Sequence, residues 1–171
     1  LPIPYDIETD ELLGGKTGRI IQIQFSTGPG EATVVPYTDL YIDLLKKIFL
    51  LPNEKWDWNG RLFDRIRLRQ HGFELRGEFH DLMNAWAHLQ PNFVSSKDVT
   101  DDEKAIPSRL MRLQACMSFY YPNFGPWKAA YRPAWDWRWA RQQLPLPVRL
   151  YGAKDVDATC RLGHKLFVDL R

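Results

Sequence analysis

Cysteine is scarce: the chain has two in 171 residues, Cys116 and Cys160, both in apolar surroundings and in no CxxC or Cys/His spacing. That excludes a disulfide-stapled secreted module and a sulfur-rich zinc centre, and fits a reduced, cytoplasmic setting with buried thiols. Long apolar runs are missing as well, since none approaches the roughly 18 residues of a membrane-spanning helix. No basic-then-apolar leader opens the chain. It lacks an initiator Met and enters a strand almost at once, so it reads as one domain cut from a longer polypeptide or as a processed product. An excess of one charge is also lacking, with 23 Lys and Arg against 21 Asp and Glu. A general basic coat for gripping duplex nucleic acid is thereby excluded, and a polyanion would have to be held by local patches or bound metal. The four histidines, His71, His80, His88 and His164, share no metal spacing, which leaves them capping or surface roles.

What is present is the composition of a globular domain, 44% apolar and 26% charged, with seven Trp. At this length one domain, 1–171, can bury a core without staples. Residues 3–8 read as a short strand ending in acids. Residues 19–26 alternate Ile20, or Ile21, with Gln in period two, and the turn TGPGE leads into a third strand at 32–37. Thr38 or Asp39 can cap a helix with apolar positions Leu40, Tyr41, Leu44, Leu45, Ile48 and Phe49, stopped by Pro52. Residues 54–59 alternate as a fourth strand, and a helix is expected from about Arg61 to His71. GEFHDLM predicts a fifth strand or an extended entry to a helix through Trp86 and Leu89. The stretch 94–104 is a polar loop, a helix follows near 107–119, and 120–137 is irregular. Pro145 and Pro147 open a last helix that runs to Leu170. Strands lie mostly in the first half and helices in the second, which predicts a mixed sheet with helices packed on it.

Four carboxylates occur in three separated segments: Asp6 and Glu8 in YDIET, Asp64 in NGRLFD, Asp155 in YGAKD. Asp6 and Glu8, two apart in a strand, share one face, where they repel unless a cation bridges them. Alone, such a pair reads as a solvated strand end. Tyr151 and Asp155, four apart on a predicted helix, are stacked on one face. The rival acid Asp157 is turned by roughly 200° from Asp155 and has no Tyr four residues before it. Acid oxygens converging from three elements are what paired hard divalent cations need, and paired cations suit phosphodiester hydrolysis.

In that order the three segments resemble the exonuclease motifs of the DEDD superfamily of 3′–5′ exonucleases, of the tyrosine subclass, with a ribonuclease H-like fold. The histidine subclass would have His where this chain has Leu150. The match is closest to proofreading domains of phage-type DNA polymerases of the bacterial polymerase I kind. The segment PSRLMRLQACMSFYYPNFGPWK is similar to their stretch between the second and third motifs. The resemblance runs from Tyr5 to about Leu166 and implies an α/β fold with a central mixed sheet of about five strands, the second antiparallel to the rest. It further implies that Asp6, Glu8, Asp64 and Asp155 hold two Mg²⁺ or Mn²⁺ ions and that Tyr151 orients the attacking water. Thr9, Leu12, Asn59 and Phe63 match positions beside the terminal nucleotide, Leu12 as a wedge against the last base. One departure stands out: Trp58 occupies a place where the family often has His or another polar residue.

The activity so implied is stepwise release of 5′-mononucleotides from a single-stranded DNA 3′ end. A polymerase domain in the same polypeptide would be its partner, inside a bacterial or phage-infected cell and with no membrane involved. A ribonuclease D-like exoribonuclease, or a non-catalytic module that binds DNA ends for a polymerase, are the alternatives.

Two further patterns carry open readings. Arg61, Arg65 and Arg69 form a stripe at i, i+4 and i+8 that either guides a phosphate backbone or is a solvated helix face. Trp127, Trp135, Trp137 and Trp139, interleaved with Lys128, Arg132, Arg138 and Arg141, form either a base-stacking surface or, more in keeping with such clusters, core or a domain contact. Trp56 and Trp86 read as core, and Asp81 as a helix cap.

Overall fold

A computed structural model describes residues 1–10, 18–90, 110–131 and 144–170. Five strands form one sheet: β1 (Ile3–Thr9), β2 (Ile20–Phe25), β3 (Thr33–Pro36), β4 (Lys55–Asp57) and β5 (Phe79–Asp81), in the order β3-β2-β1-β4-β5. β2 runs antiparallel to β1 and β3, while β4 is parallel to β1 and β5. This is the expected α/β arrangement, with a mixed sheet of ribonuclease H-like form and the second strand reversed.

Helices cover both faces of the sheet, each over its own apolar cluster. α1 (Asp39–Leu50) and α2 (Asp64–Gln70) close one side. There Tyr5, Ile7, Ile23 and Phe25 pack with Leu45, Phe49, Leu68 and Phe73. Burying a side chain of this size stabilises by about 1.5–3 kcal/mol. On the other side α3 (Leu82–Leu89), α4 (Leu113–Tyr120) and the long α6 (Leu146–Asp169) enclose Trp56, Trp86, Met117, Trp127 and Leu162. A 3₁₀ turn (Pro122–Phe124) and the single-turn α5 (Lys128–Tyr131) lie between α4 and α6. Trp56 and Trp86 are core, as expected, and Trp127 is buried with them. Both thiols are buried and free. Among the described residues no helix is long and apolar enough to cross a membrane.

Two boundaries differ from the sequence expectation. The second helix begins at Asp64 rather than near Arg61, because Asn59 has φ +62° and a turn from Asn59 to Leu62 precedes it. Asn tolerates that left-handed backbone better than most residues. The helix expected near 107–119 is interrupted: Leu110 is helical, Met111 and Arg112 are not, and extended Arg112 precedes a new start at Leu113.

Candidate metal centre

The site begins with the pleat of β1. Tyr5 and Ile7 point toward α1 and α2, so Asp6 and Glu8 point the other way, toward α6. Their cross-strand partners are Gln24 and Gln22. Gln24 donates a short hydrogen bond from Nε2 to Asp6 Oδ2, and Gln22 Nε2 donates to the Val148 carbonyl at 3.1 Å. The β1–β2 register shifts between Glu8 and Thr9, leaving Ile21 over. The shift accounts for the doubled Ile: Ile20 joins the α1–α2 core, whereas Ile21 packs on Val148 and Tyr151 of α6.

α6 comes close enough to meet these acids because it carries glycine where it touches the sheet. A Cβ on Gly152 would lie 2.5 Å from Gln22 Nε2 and 2.7 Å from Gln24 Nε2, and one on Gly163 would enter the Trp56 ring. With the helix seated, ligand oxygens of Asp6, Glu8 and Asp155 fall within 4.8 Å of one another. Asp157 is engaged elsewhere, accepting from Gly30 N at 2.7 Å and Arg161 Nε at 3.0 Å.

Asp64 enters from the first turn of α2. It is buried, it lies outside the close trio, and its Oδ1 has no hydrogen-bond partner. Burial, then the neighbouring Asp6, Asp57 and Asp81, hold its carboxyl well above the ordinary range. Glu8 is raised likewise by burial, Asp6 and Asp155. Asp6 is pushed up to about 7 by burial and Asp155, against the opposing pull of Lys128 and Gln24. Crowded carboxylates with an orphaned buried oxygen are an all-oxygen donor set short of positive charge, and a hard divalent cation fits it.

Three contacts at the site were not read from the sequence. Lys128 Nζ donates to Asp155 Oδ2 at 2.7 Å and to the Tyr151 hydroxyl at 3.1 Å. Trp127 Nε1 donates to Asp155 Oδ1 at 2.5 Å. The aromatic and basic cluster was the available signal, but nothing local says which of its members face Asp155. Burial, Asp155 and Glu8 raise the Tyr151 phenol above its usual value. Beneath the site, Asp57 accepts from Tyr5 and Arg65, and Asp81 Oδ1 accepts from Asn59 N and Met83 N, so the expected cap also anchors Asn59. The interposed strand β4 and the turn after it make those last pairings, and spacing alone does not reveal them.

The other expected residues fall in different places. Thr9 is buried at the end of β1. Asn59 lines a cavity of about 990 Å³ together with Asp6, Trp58, Met83, Lys128 and Asp155. Its Oδ1 is buried and has no hydrogen-bond partner. Phe63 packs on the α1–α2 core with the Arg67 guanidinium over its ring, and it does not line that cavity. Leu12, the 94–104 loop, and Trp135, Trp137 and Trp139 with Arg132, Arg138 and Arg141 lie outside the described residues. The arginine stripe is broken, since Arg65 turns inward to Asp57.

No protein-family model and no curated protein matches the chain. A solved structure described as the "apo form of the nuclease" is similar to it, with a TM-score of 0.68 and 21% identity over 99% of this chain and 72% of that one. At that identity the likeness establishes the fold.

Proposed function

We propose that the protein is a metal-dependent nuclease, a 3′–5′ exonuclease that removes 5′-mononucleotides from single-stranded DNA ends in the manner of a polymerase proofreading domain. The observation that carries this reading is the meeting of Asp6, Glu8 and Asp155 within 4.8 Å, with the buried Asp64 carboxyl, one oxygen of which has no hydrogen-bond partner, near Asp6. The fold shared with a nuclease agrees with it.

Asp6, Glu8, Asp64 and Asp155 are the residues that would hold two Mg²⁺ or Mn²⁺ ions. Bound there, such ions supply an activated water and neutralise charge on the leaving oxygen. Tyr151 remains a phenol at neutral pH, its raised pKa keeping the proton in place, so it orients water by hydrogen bonding rather than by acting as a base. Gln24 holds one Asp6 oxygen, which limits the rotation of that carboxylate. Asn59 and Trp58 line the cavity that opens onto Asp6 and Asp155, where the terminal nucleotide would lie. A polymerase domain in the same polypeptide is the natural partner for such an activity.

The test is hydrolysis of matched single-stranded DNA and RNA oligonucleotides, labelled at the 5′ end, with Mg²⁺, with Mn²⁺ and with chelator. Expected is a metal-dependent ladder shortening from the 3′ end, lost in Asp6→Ala and Asp155→Ala. Faster turnover of RNA would move the assignment to a ribonuclease D-like enzyme. DNA-end binding without any cleavage would replace it with a non-catalytic module.

A further inference from the structure

Lys128 stands where a cation is wanted. Its ammonium contacts Asp155 Oδ2 and the Tyr151 hydroxyl, and its field reaches Asp6 and Glu8 as well. Its ammonium also lies over the Trp127 and Tyr151 rings, with Nζ 5.8 and 5.0 Å from their centroids. The side chain is not sealed in: it is 28% exposed and shares the lining of the cavity with Asp6 and Asp155.

Two cations drawn to one oxygen at this range compete, because they repel each other. An ion taking Asp155 Oδ2 as a ligand must displace the ammonium 2.7 Å away, because like charges in a poorly solvated site repel strongly and the oxygen's lone pairs are shared. The adjoining cavity gives the ammonium somewhere to go, and the flexible four-carbon stem permits the move. Asp155 is held meanwhile through its other oxygen by Trp127, so the carboxylate keeps its place when the lysine leaves.

We infer that Lys128 is a built-in counter-ion for the metal-free site, one that holds Asp155 and Tyr151 in place and must swing into the cavity before the ion coordinated by Asp155 can bind. Lys128 therefore sets the affinity for that ion: it weakens binding while keeping the empty carboxylate cluster assembled. This rests on the metal-dependent reading above.

The experiment measures Mn²⁺ binding by titration calorimetry and by electron paramagnetic resonance of the free ion, on the full chain as wild type, Lys128→Met and Lys128→Arg. Thermal unfolding in chelator runs alongside. Expected is at least tenfold tighter Mn²⁺ binding in Lys128→Met, with a lower unfolding temperature in chelator that Mn²⁺ restores, and near-wild-type behaviour in Lys128→Arg. Should Lys128→Met not fold in chelator, Lys128→Gln is titrated in its place against the same criterion. Equal or weaker Mn²⁺ binding in the neutral variant, while wild type binds Mn²⁺, overturns the role of Lys128 alone. Absence of Mn²⁺ binding in wild type overturns the metal-dependent reading and this inference with it.

Discussion

Arg65 donates two hydrogen bonds to Asp57, Nε to Oδ2 at 2.7 Å and Nη2 to Oδ1 at 3.0 Å, and so ties the first turn of α2 to the end of β4. Asp57 is wholly buried and also accepts from the Tyr5 hydroxyl at 2.7 Å. Asp64 immediately precedes Arg65, so this pair fixes the helix turn that presents Asp64.

Replacing Arg65 with Met should cost about 3–5 kcal/mol, because it strands a buried carboxylate. Urea denaturation is the measurement. A loss below about 1 kcal/mol, with a reduced salt slope for single-strand binding, would instead return Arg65 to a phosphate-guiding role.

Alanine at Gly152 and at Gly163 should separate the site from the scaffold. At Gly152 the new methyl meets Gln22 and Gln24, the latter bonded to Asp6. At Gly163 it meets the Trp56 ring. Overpacking costs about 1–3 kcal/mol, offset by about 1 kcal/mol of helix propensity. Gly152→Ala should therefore lower turnover out of proportion to its stability loss, and Gly163→Ala should lower stability with turnover per folded molecule kept. Nuclease rates normalised to the folded fraction decide between these outcomes.

Asp155 and Asp157 should behave oppositely. Asp157→Ala loses its bond from Gly30 N and its part-buried pair with Arg161, a destabilisation of about 1.5–3 kcal/mol, and should cleave normally. Asp155→Ala should fold and not cleave. Cleavage retained in Asp155→Ala and lost in folded Asp157→Ala would reverse the assignment.

Mn²⁺ at a hundred times its dissociation constant should stabilise the wild type by about 2.7 kcal/mol, a shift of about 5–11 °C in Tm for a domain of this size. Asp64→Asn should reduce that shift. In chelator it should raise Tm, because it removes a buried carboxylate that burial and then Asp6 destabilise in its charged form. Scanning fluorimetry with and without chelator reads both effects. A lower Tm for Asp64→Asn in chelator would mean that the Asp64 charge is compensated by the fold itself.

Local patterning settled much of this molecule. Period-two alternation placed the strands, and the two-residue step from Asp6 to Glu8 put both acids on one face, since a pleat alternates sides whatever surrounds it. The four-residue step from Tyr151 to Asp155, and the turn that carries Asp157 elsewhere, followed from helix geometry in the same way. Only the tertiary structure decided which distant groups meet. Burial of α6 against β2 through Gly152, the inward turn of Arg65 to Asp57, and the placing of Trp127 and Lys128 on Asp155 join residues from 8 to 28 positions apart or more. Such contacts depend on how elements pack and on which buried charge lacks a partner, and neither is a property of any short stretch of chain.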